Sequence, residues 1–295
     1  MVDWQSPVEL AHDSAAFSSF MHALLGLYIW EWFTSLDFEF ALLSRKRRFR
    51  WPLMFYFLDR YSILAALIGL AVSLNVTTPI DCQSLYTFNQ LAGNFAIGFS
   101  SINLSLRTIA VWSQSMKIVV PLSVIIIGHW FLLLRSIVIV KVEWTSGGCT
   151  ITSTNTSWLS AIYIYTMCFD LIVTVLLAWK LLRPAMGARS HSNRLTEMVF
   201  GDGLIYFLIA FLSNLIAVIF IFLDLNAVMS VIAEVPAAVA SAIVACRVVR
   251  RLANFSHGTA GAEMFTYVVC PVQSLRLALP LHSTYTLPLL PSLSA

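Results

Sequence analysis

Charged residues are scarce in this sequence. Of its 295 residues only 11% are Asp, Glu, Lys or Arg, whereas about a quarter of an average soluble domain is charged. Hydrophobic residues make up 59% of the chain, and the mean hydropathy is +0.81. Because a water-soluble fold of this length does not need so much apolar surface, we expect the lipid bilayer to be its solvent.

Several functional motifs are missing as well. There is no phosphate-cradling glycine loop, which argues against nucleotide-driven transport, and no set of histidines and carboxylates at a common depth that would hold zinc. The basic residues follow loops rather than a nucleic-acid footprint, so we expect no nucleic-acid partner, no metal and no cofactor. The apolar segment 227–249 contains no lysine for a retinal Schiff base, which argues against a microbial rhodopsin.

Apolar runs of about 20 residues, the length that crosses a bilayer, occur throughout the chain. They predict seven transmembrane helices near residues 16–43, 51–74, 84–112, 118–140, 159–182, 200–223 and 227–249. The predicted fold is an all-α polytopic membrane bundle, with residues 1–15 as a short extracytoplasmic N-terminus, 16–250 as the membrane domain and 251–295 as a disordered cytoplasmic tail. We expect the first helix to act as its own insertion signal, because residues 1–15 contain acids but neither Lys nor Arg.

The basic residues predict the orientation. A basic run from Arg45 to Arg50 separates the first two segments, and the positive-inside rule places it in the cytoplasm. Counted from this anchor, the predicted cytoplasmic connections hold 13 Lys and Arg residues and the predicted outside connections hold only Lys141. A six-helix alternative would put basic clusters on both sides. We therefore expect the N-terminus outside, the C-terminus in the cytoplasm, and residence in the plasma membrane or a secretory-pathway membrane.

The predicted outside loops are typical of an oxidising, glycosylating compartment. Asn75 and Asn155 each begin an acceptor tripeptide for N-glycosylation. Cys82 and Cys149 are the two of five cysteines that fall outside, so we predict a disulfide that holds the loop over the bundle; two free thiols are the alternative. Cys246, at the cytoplasmic end of the last helix, is a candidate for palmitoylation.

The third segment also predicts its own position. Ala92, Ala96 and Ser100 recur at every fourth position, which gives one helix face made of small residues. Such faces allow membrane helices to approach closely. We therefore expect the third helix to lie at the centre of the bundle.

Ionisable side chains inside a bilayer are costly, so they normally pair with one another or mark a functional site. By depth, a layer in the cytoplasmic half brings carboxylates and guanidinium groups together. Its members are Asp37, Glu39, Asp59, Arg60 and Arg107. We expect an ion-pair clamp across helices one to three, with a gating switch as the alternative.

A second polar set is predicted near mid-membrane and in the outer half. Its members are Glu31, Asn94, His129, Arg135, Asp170, Asn214 and Glu234. If these side chains converge, they would line an outward-facing binding cavity. Glu31, Asp170 and Glu234 would then be candidate catalytic acids, because burial favours the neutral carboxylic acid. Pro236 is expected to kink the last helix beside Glu234.

The first 65 or so residues resemble a known module. Thr34, Asp37, Glu39, the basic turn and the pair Arg60-Tyr61 are similar to the opening of a large group of uncharacterised fungal seven-helix membrane proteins. The helix count and the cysteine placement agree with that group over the remaining chain. The resemblance implies the seven-helix fold and carries no activity.

The overall plan also resembles that of a G-protein-coupled receptor, in its helix number, its outside N-terminus and its outside cysteines. Its signature motifs differ, because Arg107 lies in Ser-Leu-Arg-Thr and the last helix has no Asn-Pro-x-x-Tyr. We expect a non-enzymatic receptor-like or sensor protein with a small-molecule or lipid ligand and a cytoplasmic signalling partner. An intramembrane enzyme of the fungal terpene-cyclase type, acting on a lipid or isoprenoid substrate, and a passive transporter are the alternatives.

Overall fold

The structure, a computed structural model, describes residues 6–44, 51–112, 114–145, 148–153, 156–185, 194–223 and 227–255. Helices dominate these ranges, and their only sheet is an antiparallel hairpin. The helices are α1 (Pro7–Thr34), α2 (Leu36–Leu43), α3 (Pro52–Asn75), α4 (Cys82–Val111), α5 (Met116–Ile139), α6 (Thr156–Ala185), α7 (Arg194–Leu223), α8 (Ala227–Ile232) and α9 (Glu234–Phe255). The strands are β1 (Lys141–Thr145) and β2 (Gly148–Ser153).

Each of the seven predicted segments corresponds to helical structure. The five inner segments match α3, α4, α5, α6 and α7 one by one, whereas the first and last segments are divided into α1 with α2 and α8 with α9. The prediction of a helical chain is therefore confirmed, and the two interrupted segments each have a local chemical cause.

The break between α1 and α2 falls at Ser35. The Thr34 hydroxyl donates to the carbonyls of Trp30 and Glu31 at 3.0 and 3.1 Å. The Ser35 hydroxyl donates to the carbonyls of Glu31 and Trp32 at 2.7 and 3.1 Å. Hydroxyl groups that bond the backbone one turn back bend helices, and two in succession explain why the chain turns here.

The break between α8 and α9 falls at Ala233, three residues before Pro236. Proline has no N–H group, so the carbonyl of Ile232 loses its helical donor and α8 ends at that residue. The next helical bond, from the Ala237 N–H to the Ala233 carbonyl at 3.1 Å, restarts the helix. The predicted kink is confirmed and lies one turn before the proline.

Helix α4 lies in the interior, in contact with α3, α5, α6 and α9. Ala92, Ala96 and Ser100 on its small-residue face are all buried. At Gly98 an added Cβ would lie 2.7 Å from the Trp130 ring, so the absent side chain allows α5 to approach. The predicted central position of the third segment is therefore confirmed.

The surface of the bundle is apolar. Large exposed hydrophobic side chains occur along α1, α2, α3, α5, α6 and α7, whereas in the described ranges α4 exposes only Phe88 and α9 exposes none. The interior instead holds polar side chains such as Asp59, Asn103 and Asp170. Apolar residues outside and polar residues inside are typical of a bundle that lipid surrounds.

Four helices are long and apolar enough to cross a membrane by length and composition. These stretches are Pro52–Asn75, Met116–Val138, Ser160–Lys180 and Leu204–Leu223. They belong to α3, α5, α6 and α7, which all take part in the apolar surface. The finding is compatible with the predicted membrane protein.

The hairpin follows α5 directly and was not predicted from the sequence. A disulfide joins Cys149 of β2 to Cys82, the first residue of α4, as predicted. Gln83 strengthens this connection, because its side chain accepts from the Val142 N–H at 2.9 Å and donates to the Val140 carbonyl at 3.3 Å. The hairpin is thus tied to the start of the central helix.

Candidate functional site

The most elaborate polar cluster surrounds Arg60 on α3. Its guanidinium forms an ion pair with Glu39 of α2 at 2.7 Å. It also donates to the hydroxyls of Tyr56 (2.8 Å) and Ser35, and to the Trp32 carbonyl (2.5 Å). Arg60 is 3% exposed, and a buried guanidinium with an ionic partner and several acceptors is well compensated. The cluster fastens α3 to the bend between α1 and α2.

A second ionic cluster joins α1 to the end of α9. The carboxylate of Glu31 accepts hydrogen bonds from the guanidinium groups of Arg247 and Arg250, the latter at 2.5 Å. We had expected Glu31 among the mid-membrane cavity residues. The structure corrects this, because Glu31 belongs with the basic residues near the end of the last helix. This turn of α1 lies just before the bend at Ser35 and is in contact with α9.

Asp59, which precedes Arg60, has a different environment. It is fully buried, and one carboxyl oxygen accepts from Ser100 and Asn103 of α4 at 3.4 and 3.3 Å. The thiol of Cys246 on α9 lies 3.9 Å from the same oxygen. Its other oxygen has no hydrogen-bond partner among the described residues. Asp59 therefore ties three helices together through neutral donors.

The predicted ion-pair layer is only partly correct. Arg60 and Glu39 pair as expected, but the hydrogen-bond donors to Asp59 are neutral. Asp37 is exposed on α2 and makes no ion pair within the ranges that the structure covers. The Arg107 guanidinium lies 5.8 Å from the ring centre of Phe207 on α7. The expected depth of these residues in the membrane predicted that they share a layer. Which side chains contact each other depends also on the direction in which each one points about its helix axis.

The predicted cavity residues divide into separate pairs. The Asn94 amide donates to the Leu133 carbonyl and to Ser136, both at 2.8 Å. His129 is fully buried and lies 2.9 Å from the Thr166 hydroxyl. Both contacts join neighbouring helices, as polar side chains commonly do inside a membrane bundle. The Nδ1 atom of His129 is buried and has no hydrogen-bond partner among the described residues.

The acids Asp170 and Glu234 also have neutral partners. Asp170 accepts from the Asn214 amide at 2.6 Å, and the same amide lies 3.4 Å from the Ser241 hydroxyl. Glu234 accepts from the Tyr163 hydroxyl at 2.8 Å, while its second oxygen is buried and has no partner in the part of the chain that the structure describes. Of the seven cavity candidates only Asp170 and Asn214 meet directly. The expected convergence into one set is wrong for Glu31, and Arg135 is exposed on the surface of α5.

The free cysteines correct one further expectation. Cys246 is buried beside Asp59, so its thiol is not accessible for palmitoylation in this conformation. Cys168 on α6 is exposed instead. Position along the helix suggested accessibility for Cys246, but its helix lies in the interior.

A cleft with polar walls lies at the end of the bundle that carries Arg247, Arg250 and Arg251 of α9, which we call the basic end. It has a volume of about 490 Å³ and lies between α1, α2, α7 and α9. Its lining consists of a threonine, a serine, two aromatic residues, one acid and three arginines. The lining residues are Thr34, Ser35, Asp37, Phe38, Tyr206, Arg247, Arg250 and Arg251. Among these residues, Asp37 alone was predicted from the sequence to belong to a site. The i, i+3, i+4 spacing of the three arginines was a signal that they share one face of a helix.

The cleft and the disulfide lie at opposite ends of the bundle. Helices α3 and α4 run antiparallel, because Asp59 near the start of α3 meets Asn103 late in α4, and Gly69 late in α3 meets Asn89 early in α4. Arg60 contacts the bend beside the cleft, and Cys82 begins α4 at the far end. The two ends therefore differ in character: one is covered by a pinned hairpin and the other has an open basic cleft.

A small acidic group lies near the start of α1. One ligand atom from each of Glu9, His12 and Asp13 lies within 4.8 Å of the others. The i, i+3, i+4 spacing on a helix explains this proximity.

Some predicted sites lie partly or wholly outside the described residues. Asn75 is described, exposed at the end of α3, and its amide lies 2.8 Å from His22. Asn155, the basic run 45–50 and the tail from residue 256 onwards are outside the described ranges. Glycosylation at both asparagines stays a prediction.

Comparison with known proteins adds no assignment. Neither the models of known protein families nor the curated proteins give a match to this chain. The similarity to the fungal seven-helix group therefore stays a prediction, and function has to be argued from the geometry.

Proposed function

We propose that the chain is a seven-span membrane protein that acts as a receptor or sensor, with its N-terminus outside and its basic end in the cytoplasm. In this arrangement α1 with α2 forms the first span and α8 with α9 the last. A helix rises about 1.5 Å per residue, so the 30 residues of α4 extend about 45 Å, enough to cross a hydrocarbon core of about 30 Å. The 22 residues of α9 extend about 33 Å.

Burial explains how less apolar helices would span a bilayer. The polar side chains of α4 that would be costly in lipid, among them Asn94, Asn103 and Arg107, are turned into the protein. Only the outer helices need a lipid-compatible surface. The composition of α4 and α9 therefore does not argue against their spanning.

The observation that carries the receptor proposal is the difference between the two ends. The hairpin is pinned to the start of α4 by a disulfide, and the basic end opens as a polar cleft. Buried polar contacts along α4, from Asn94 to Asn103, lie between these ends. A ligand that moves the hairpin would act on α4, and a shift of α4 would reach Asp59 and the neighbouring Arg60 cluster beside the cleft.

An experiment on coupling tests this proposal. A fluorophore on Thr34→Cys, in a full-length Cys168→Ser/Cys270→Ser background, reports the cleft of protein in lipid nanodiscs. Opening the disulfide with the Cys82→Ser/Cys149→Ser double variant should change the probe's emission and its access to a soluble quencher. A matched probe at Val124→Cys, on the exposed face of α5, should not respond. If the probe at position 34 were as unresponsive as the probe at position 124, coupling between the two ends would be contradicted.

The intramembrane enzyme is the second candidate, and Glu234 is the observation that favours it. One of its oxygens accepts from Tyr163, and the other is buried with no partner in the described ranges, as a proton donor awaiting a substrate would be. Glu234→Gln keeps the shape and removes the acid. Unchanged lipid composition in cells that carry this variant in place of the normal chain would argue against the enzyme.

A further inference from the structure

The cleft at the basic end is rich in arginine. Arginines contribute three of its eight lining residues, and Asp37 contributes the one carboxylate. Glu31 lies behind Arg247 and Arg250 and adds a second carboxylate. Arg251, whose guanidinium lies 5.0 Å from the ring centre of Tyr206, adds a third guanidinium group to this recess between helices.

The carboxylate of Glu31 does not occupy all the hydrogen-bond donors of Arg247 and Arg250. A guanidinium carries five N–H donors, and Glu31 accepts two hydrogen bonds from Arg247 and one from Arg250. The Arg247 side chain is 47% exposed although it is paired. Glu31 therefore orients donors that remain available to a ligand in the cleft.

The depth of the cleft matches the headgroup region. Arg247 and Arg251 follow Glu234 by 13 and 17 residues on the same helix, so they lie about 20 and 26 Å further along its axis. With Glu234 in the outer half of the bilayer, these arginines reach the inner boundary of the hydrocarbon core. Phosphate groups of the inner leaflet lie at that boundary.

We propose that this cleft binds a phosphate monoester carried by the headgroup of a cytoplasmic-leaflet lipid. Arginine forks match phosphate oxygens bidentately, and basic recesses between membrane helices hold such headgroups. The hydroxyl groups of Thr34 and Tyr206 lie on the same walls, and Phe38 is apolar as an acyl chain requires. The inference rests on the proposed orientation, and it does not require a signalling role.

A binding measurement with defined lipids tests the proposal. The full chain in phosphatidylcholine bicelles is titrated with fluorescent dioleoyl phosphatidic acid, and unlabelled competitors are then added. Phosphatidic acid and phosphatidylinositol 4-phosphate should displace the probe, and phosphatidylcholine should not. Displacement by soluble glycerol 3-phosphate at the same concentration would overturn the lipid source, and equal displacement by phosphatidylcholine would overturn the phosphate site.

Variants assign the binding to the cleft. Arg251→Gln and Arg247→Gln should each weaken binding about tenfold, because each removes charge-assisted hydrogen bonds. Asp37→Asn should strengthen it, since it removes a repelling carboxylate from an exposed position outside any described ion pair. Arg135→Gln, an exposed arginine on α5, is the control and should have no effect. Unchanged affinity in both Arg251→Gln and Asp37→Asn would overturn the proposal even if Arg247→Gln failed to fold.

Discussion

Helices α4 and α5 are consecutive in the chain and have opposite surfaces. α4 buries polar side chains, among them Asn94, Asn103 and Arg107, and exposes one large hydrophobic residue, Phe88. α5 exposes large hydrophobic side chains along its whole length, from Met116 to Val138. Of these two helices, α5 is apolar enough to cross a membrane by its composition and α4 is not.

The difference shows what hydropathy measures in such a bundle. It finds helices that face outwards, because their surface has to suit the surrounding lipid. A central helix is surrounded by protein, so its polar groups find partners there and its hydropathy falls. Substitutions of interior residues and of surface residues test this difference.

The largest effect is expected for Arg60→Met in the interior. The change leaves the carboxylate of Glu39 without its ionic partner, and breaking a buried pair costs about 3–5 kcal/mol. The free energy of unfolding in mixed detergent micelles measures the loss.

The double variant Arg60→Met/Glu39→Gln is the matched control for that pair. Because it removes both charges, it should recover part of the stability. If Arg60→Met alone were as stable as the unsubstituted chain, the pair would not be part of the interior.

A charge on the surface is expected to have the next largest effect. Ile127 lies at the middle of α5 and is 69% exposed. Ile127→Lys should make the free energy of membrane insertion less favourable by about 3–4 kcal/mol, because the favourable transfer of Ile is lost and the ammonium group would face hydrocarbon. The inserted fraction in a microsomal insertion assay reports this.

Met116→Lys is the control for the surface charge. Met116 begins α5, where a lysine can extend to the headgroup region, so we expect a smaller loss. A surface that faces water would give the opposite outcome, with Ile127→Lys fully tolerated and the chain more soluble.

A smaller effect is expected for Asn103→Leu on α4. It removes the amide that donates to Asp59 and to the Phe55 carbonyl, and an unsatisfied buried acceptor costs about 1–3 kcal/mol. Thermal unfolding of the purified chain measures the change. In an Asp59→Leu background the same substitution should cost less, and equal costs would show that the two side chains are not coupled.

Much of the fold could be predicted from the sequence. The seven apolar runs correspond to helices because length and hydropathy are local properties of a segment. The break before Pro236 follows from the proline itself, which is also a local signal. The Cys82–Cys149 bond could be predicted from the topology, because these are the two cysteines in the predicted outside loops. The bend at Ser35 was missed, although Thr34 and Ser35 are adjacent hydroxyl residues that bond the preceding turn.

The partners of the polar residues could be predicted less well. Sequence position gives the height of a side chain in the bundle but not its direction about the helix axis. Glu39 and Arg60 pair as expected, whereas Glu31 meets Arg247 and Arg250 instead of the other residues of the predicted cavity. Asp59 is next to Arg60 in sequence, but the two side chains point to different neighbours.

The number of spans is the central claim, and the positions of the two chain ends test it most directly. An odd number of spans places the ends on opposite sides of the membrane, whereas the four helices that are apolar by composition alone would place them on the same side. The measurement is antibody access to tags at the N-terminus and the C-terminus, in intact cells and after the plasma membrane is permeabilised. We predict an N-terminal tag that is accessible in intact cells and a C-terminal tag that becomes accessible only after permeabilisation. Two tags on the same side would contradict the seven-span bundle.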